Sequence, residues 1–343
     1  LADGFFEAVD LDITWITLDR TIQRPERHEI KNQTFVRIPE HSPKLNLLLK
    51  QWPTRLALRR ALADCKPDIV HIWGTECFYA VAMEDISVPI VLSVQGCLTA
   101  FNKVWKPSRA HKYLANEEAR RFAQADVVVC ESAWSAEQVQ AIHPPRDLRV
   151  IEYGVHPVFY AINWEPSIET PNLIYSGSLD IRKGADLLFD ALELIPNRSW
   201  RLKVCGHGPL ETELRNRGLP NVDWLGVLRW SELRQHLSSA WGLVVPTRAD
   251  TGPTVVKEAR VVGLPVIGSV NGGLRDYIKD GSNGLIVNPL NPRILAEKLA
   301  ELMSSFERMK AMGAAGHQED RAFFSSQRTV TALVNLYRER LAR

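Results

Sequence analysis

Short β-branched and apolar runs alternate along this chain with longer stretches of helical periodicity, and that alternation constrains the fold more than any other feature. In the first half the runs are LDITWITL (11–18), DIVHIW (68–73), PIVLSV (89–94), DVVVC (126–130) and LRVIEYG (148–154), with helical patterns such as 45–64 and 132–142 between them. The second half repeats the rhythm with NLIYSG (172–177), RLKVCG (201–206), VDWLG (222–226), GLVVP (242–246) and PVIGS (265–269), and with helices near 184–195, 209–217, 230–240 and 253–262. Strands that are apolar throughout are buried on both faces, which is the pattern of parallel sheet covered by helices. Two such series predict an α/β chain of two Rossmann-like, doubly wound domains. The 343-residue length is too great for one ordinary core and agrees with that division. The stretch 156–171 holds three prolines and little periodicity, so it is expected to be the linker between a domain over 1–155 and one over 172–324. The end of the chain, 293–343, is helical and amphipathic.

Bulk properties exclude some classes of function. A formal net charge of +2 gives no electrostatic reason to expect nucleic-acid binding. The cysteines at 65, 77, 97, 130 and 205 have no CxxC spacing and are odd in number, which suits free thiols in a reducing, cytoplasmic setting better than a disulfide framework. No apolar run reaches the roughly 20 residues of a membrane span, and no signal peptide is visible. The opening LADGFFEAVD resembles the tail of a first helix that leads directly into a second strand, so the first strand and its glycine-rich turn are expected to be missing.

The stretch RADTGPTVVKEARVVGLPVIGS (248–269) carries the chemistry. It follows a strand and leads into another, and its helix is expected to begin with Pro253 at the first helical position, where a missing N–H costs nothing. Val255, Ala259 and Val262 would form the inward stripe, and Gly263 with Pro265 would end the helix. Ligands of open parallel sheets lie beyond the carboxyl ends of the strands, so the turn from Thr247 to Thr254 is expected at the ligand edge. The free N–H groups of the helix start favour an anion such as a phosphate. Asp250 before the helix could hold sugar hydroxyls, and Glu258, eight positions on, could accept from a ribose diol. The bland alternative is that Asp250 complements the helix dipole and Glu258 is a solvated helix acid.

The run PTRADTGPTVVKEARVVGLPVIGSVNGGLRDYI (246–278) resembles glycosyltransferase family 4, whose members have the GT-B fold, two Rossmann-like domains facing a cleft. Asp250 stands where the family usually has a first glutamate, and Glu258 matches the second. YSGSLDIRKGADLL (175–188) resembles the strand, loop and helix whose cations clamp the donor diphosphate: Gly177, Lys183 and Gly184 match, Ser178 replaces a usual arginine, and Arg182 is the nearby substitute. VCGHGPLETEL (204–214), with Gly206, matches the next strand and turn, although Glu211 spoils it as a dinucleotide fingerprint. NVDWLGVLRWSELRQHLSSA (221–240) matches the segment that commonly meets the base. Gly252, Thr254, Val255 and the Gly272–Gly273 loop complete the expected donor rim. In the first half, Gln95-Gly96 stands where many members have His-Gly; Gln95 cannot carry a proton but its amide can bind a hydroxyl. Glu76, after a strand end, is a candidate for the acceptor side, and His71 is expected to be an ordinary strand histidine.

The resemblance implies retaining transfer of a sugar from a nucleotide-diphosphate donor, UDP- or GDP-linked, to a lipid-linked or saccharide acceptor, in cell-surface polysaccharide or glycolipid synthesis, without a cofactor or an essential metal. Asp250, Glu258 and Lys183 would carry the chemistry, and the last helix, about 325–343, would pack back on the first domain. The missing start implies that this chain is a fragment, or a misplaced start, of an active enzyme. The basic, aromatic stretches 49–62 and 101–113 could lie on the anionic surface of the cytoplasmic membrane; the alternative for each is an exposed helix or loop. A nucleotide-sugar epimerase and a non-catalytic two-domain binding protein are the rival readings. The Asp250–Glu258 helix signature argues against the first, and the second gives no reason for Lys183 and Glu258.

Overall fold

The computed structural model describes residues 2–5, 10–76, 78–196 and 199–342. They divide into two compact units, one of residues 1–131, 136–151 and 329–343, the other of 132–135 and 152–328.

The first unit contains two sheets. Strands β1 (Ile13–Asp19), β2 (Glu26–Ile30) and β3 (Gln33–Pro39) form one in the order β1-β3-β2. In it β1 runs parallel and β2 antiparallel to β3. Strands β4 (Val70–Trp73), β5 (Ile90–Val94), β6 (Val127–Cys130) and β7 (Leu148–Val150) form the other, parallel and in chain order. Every residue of β5 and β6 is buried, as their unbroken apolar character requires. The pair β2 and β3 was not among the expected strands: ERHEI is a charged, largely exposed edge strand, and QTFVRIP, although it lies between β1 and β2, opens with polar residues and carries Arg37. The pattern at 45–64 is not one helix. It breaks into Pro43–Leu48 and Trp52–Cys65 around Lys50 and Gln51, both with positive φ. From the last helix, Ser326–Leu341, Val330, Leu333 and Val334 pack with Phe5. Of the opening segment, 2–5 is helical and 6–9 lies outside the described residues.

The second unit is one parallel sheet of β8 (Asn172–Ser176), β9 (Arg201–Cys205), β10 (Val222–Gly226), β11 (Gly242–Val245), β12 (Val266–Ser269) and β13 (Gly284–Val287), in the order β10-β9-β8-β11-β12-β13. The winding reverses between β8 and β11, the doubly wound order whose crevice lies at that reversal. Helices on the faces bury apolar stripes: Ala185, Leu187, Leu188, Phe189, Ala191 and Leu192 of the helix Ala185–Glu193 are all buried, and full burial of a leucine side chain stabilises by about 1.5–3 kcal/mol. Strand β13 escaped the sequence reading, being four residues between turns. The stretch 156–171, expected as a linker, belongs to this unit. Pro157–Ala161 forms a 3-10 turn, Phe159 is fully buried, and the Trp164 indole N–H donates to the Ala240 carbonyl at 2.8 Å. Its aromatic residues outweigh its prolines.

Candidate functional site

The two loops that leave β8 and β11 at the reversal are stitched together. At Gly184, with φ +73°, an added Cβ would lie 1.9 Å from the Pro246 carbonyl oxygen, so only glycine lets the loops approach. The Arg182 carbonyl accepts from the Arg248 amide at 2.7 Å and from the Thr247 hydroxyl at 3.0 Å. The Arg182 guanidinium donates to the Ala249 carbonyl at 3.2 Å. Arg248 grips Asp186 with two bonds of 2.8 and 2.6 Å, the planar geometry that makes an arginine–carboxylate pair strong. No local pattern signals this brace, since its partners lie 62 residues apart.

The brace places three charged side chains at the reversal. The Lys183 ammonium contacts Asp250 Oδ2, and the Arg182 guanidinium is 3.9 Å from the same oxygen. Asp250 is buried, with 6% of its surface exposed. Its carbonyl accepts from the Gly273 amide at 2.9 Å, and a Cβ on Gly272 would lie 2.8 Å from that carbonyl oxygen, so the Gly272–Gly273 loop packs directly on it. Lys183 is itself seated by its backbone N–H, which donates to Asp180 at 2.8 Å. Gly177 and Gly206 are adjacent at the ends of β8 and β9: the Gly177 amide donates to Cys205 at 3.0 Å and the Gly206 amide to Gly226 at 2.7 Å. Ser178 contributes its carbonyl, which accepts from the Tyr175 hydroxyl at 2.6 Å.

The helix after β11 runs Thr254–Val262, with Pro253 as its N-cap rather than its first residue. It does not have the expected single inward stripe. Val255 is half-buried and Thr254 exposed, while every residue from Val256 to Val262 is buried. Its charged residues are therefore not solvated. Lys257 pairs with Glu152 at 2.5 Å, both nearly inaccessible, and Arg260 pairs with Asp320 at 2.7 Å. Glu258 is 6% exposed. Burial pushes its carboxyl up to about 7, against the pull of Lys257. The reading of Glu258 as a solvated helix acid fails on that burial. A carboxyl so buried, on the helix that follows the carboxyl end of β11, is a candidate functional group. Gly252 is buried beside this start.

In the first unit, β4 and β5 pair in parallel, which brings their carboxyl-end loops side by side. Glu76 and Gln95-Gly96 meet there: a Cβ on Gly96 would lie 3.5 Å from the Glu76 carboxyl carbon. Burial pushes Glu76 up to about 7, opposed by backbone N–H groups and aided by Glu118. Its Oε2 is buried with no hydrogen-bond partner among the described residues. Gln95 is half-buried at the end of β5. His71 sits within β4, its ring nitrogens 2.6 Å from the Tyr337 and Ser93 hydroxyls, and burial pushes it down to about 3. Among the described residues no three His, Cys, Asp or Glu side chains gather to hold a metal, and no helix is long and apolar enough to cross a membrane. Of the two basic stretches, 49–62 exposes Leu49 and Trp52, next to exposed Leu48, while in 101–113 Phe101 is buried and Trp105 stacks on His111.

Comparison with known proteins covers almost the whole chain. Residues 6–159 match the model for glycosyltransferase family 4, and 163–319 match that for glycosyl transferases group 1. The chain is 26% identical over 281 residues to an uncharacterized glycosyltransferase of Methanocaldococcus jannaschii, covering 79% of this chain and 75% of that protein. It is 29% identical over 280 residues to the sulfoquinovosyl transferase of Arabidopsis thaliana, covering 75% of this chain and 54% of that one. Against the O-antigen chain mannosyltransferase C of Escherichia coli it is 24% identical, with 70% and 68% covered. Among solved structures, sucrose-phosphate synthase from Thermosynechococcus elongatus superposes with a TM-score of 0.82 at 18% identity over 99% of this chain and 92% of that one. Anabaena HepE in complex with UDP and glucose gives 0.74 at 16% identity over 89% and 86%.

Proposed function

Because the chain belongs to the family 4 glycosyltransferases and has their GT-B fold, we propose that it moves a sugar from a UDP- or GDP-linked donor to a lipid-linked or saccharide acceptor, with retention at the anomeric carbon. The observation that carries this reading is the meeting of Lys183, Arg182 and Asp250 at the winding reversal, with Glu258 on the helix that follows. In this reading Lys183 and Arg182 neutralise the diphosphate, Arg182 making up for Ser178. The N–H groups of the helix start near Thr254 assist them, with Gly252 and Val255 lining the approach. Gly177 and Gly206 leave room for the diphosphate and nucleoside. Glu258 accepts from the ribose hydroxyls. Asp250 and the Gly272–Gly273 loop hold the transferring sugar.

In the transfer, the bond from the anomeric carbon to the diphosphate oxygen breaks as the acceptor hydroxyl oxygen bonds to that carbon. The hydroxyl proton passes to the departing phosphate oxygen, so no strong protein base is needed. No cofactor enters this scheme. Gln95, Gly96 and Glu76 are assigned to the acceptor or sugar. The relatives include enzymes named for glycolipid and O-antigen sugars, which supports an acceptor of cell-surface polysaccharide or glycolipid type. Cytoplasmic location follows from the nucleotide-sugar donor, and peripheral membrane contact is assigned to exposed Leu48, Leu49 and Trp52 around Lys50.

The test compares UDP and GDP with their 2′,3′-dideoxy forms by calorimetry. The unmodified chain should prefer the ribose diol by about tenfold or more, as one to two hydrogen bonds to a charged group require, and Glu258→Ala should erase the preference. A preference untouched by that substitution refutes the assignment of Glu258.

A further inference from the structure

At the winding reversal one carboxylate serves two cations from a backbone that is held on both sides. The backbone of Asp250 is held by the Gly273 amide at 2.9 Å, and the preceding carbonyl, of Ala249, by Arg182 at 3.2 Å. The loop before it is locked by Arg248 on Asp186. The Asp250 side chain is 9% exposed, against 22% for Lys183. Lysine has a long flexible stem and a compact charge, so it is the partner able to move. Asp250 is not.

A diphosphate entering the donor site, on the reading proposed above, takes Lys183 and Arg182 as its own counter-ions. Asp250 is then left buried beside a second negative group. A buried carboxylate stripped of its partner is strongly disfavoured, so the carboxylate opposes the diphosphate unless other donors replace the ammonium. Sugar hydroxyls are such donors. A nucleoside diphosphate without its sugar has none to offer there.

We propose that Asp250 makes the donor site discriminate between a nucleotide sugar and the nucleoside diphosphate left after transfer: it competes with the diphosphate for Lys183, and only the hydroxyls of an attached sugar relieve the competition. Loss of the sugar then returns Lys183 to Asp250 and loosens the spent nucleotide. Asp250 is thus a specificity residue for the donor as well as a sugar contact.

Calorimetry with UDP, GDP, UDP-glucose and GDP-mannose tests this. For the base that binds, Asp250→Asn should tighten the free nucleoside diphosphate by about fivefold, the effect of relieving one charge contact, and should leave the sugar nucleotide equal or weaker. The gain should vanish when Lys183→Gln is added. Kinetics of the unsubstituted chain give a second reading: the inhibition constant of the nucleoside diphosphate should exceed the dissociation constant of its sugar nucleotide. Equal or weaker binding of the free diphosphate by Asp250→Asn, or product that binds the unsubstituted chain more tightly than donor, overturns the proposal. If the unsubstituted chain binds no nucleoside diphosphate or nucleotide sugar, the donor-site reading itself fails, a different result from either.

Discussion

Glu258→Gln should make the chain more stable at alkaline pH while weakening its hold on nucleotide. Burial pushes the Glu258 carboxyl from its ordinary 4.5 up to about 7, with Lys257 pulling the other way. Below the ordinary value both folded and unfolded chains hold the proton, and nothing is lost. Between that value and about 7 the unfolded chain releases a proton that the folded chain keeps, so stability falls as pH rises; above about 7 the loss is complete. At about 1.4 kcal/mol for each pH unit, the loss is about 3 kcal/mol. Glutamine has no proton to release. An unsatisfied buried amide costs about 1–3 kcal/mol, but equally at every pH, so the pH dependence isolates the carboxyl. Urea unfolding of both proteins at about pH 4 and about pH 8, followed by tryptophan fluorescence, should show the variant losing about 3 kcal/mol less across that range. The same variant should bind UDP or GDP more weakly. Parallel pH dependences would refute the claim that Glu258 is a buried acid held for a ligand.

Other outcomes are expected. Lys257→Met leaves Glu152 buried without its cation and should cost about 3–5 kcal/mol in urea unfolding, most of it recovered by adding Glu152→Gln. Glu76→Gln should raise the acceptor KM with donor affinity unchanged, and should also stabilise the first unit at alkaline pH, since the Glu76 carboxyl too is pushed up to about 7; steady-state kinetics and unfolding at about pH 8 check both. His71, pushed down to about 3 by burial, should show no ring titration by NMR across the neutral range, and so no limb of a pH–rate profile should belong to it.

How much was legible depended on how local each signal is. The strands of the second unit could be read because parallel strands buried on both faces are apolar throughout, as Leu243, Val244 and Val245 of β11 are. Strands β2 and β3 could not: Glu26 lies in the exposed edge strand β2 and Arg37 in the central strand β3, and the two are accommodated by pairing with each other across the strands at 2.6 Å, a partnership no local pattern shows. The helix Thr254–Val262 could be located but not oriented. Lys257 and Arg260 look solvated in sequence and are buried only because Glu152 and Asp320 come from distant segments to meet them. Lys183 and Asp250 were each picked out by their motif. That they touch, 67 residues apart, follows from the strand order, which places β8 beside β11 and which no local pattern encodes.

Donor turnover is the direct test of the transferase assignment. The chain would be incubated with UDP-, GDP- and ADP-sugars and a membrane extract, and release of nucleoside diphosphate followed over time. The expected result is release from one UDP- or GDP-sugar that depends on the extract and disappears in Glu258→Ala. Release that persists in Glu258→Ala, or no binding and no turnover of any nucleotide sugar, would contradict the donor site described for Lys183, Asp250 and Glu258.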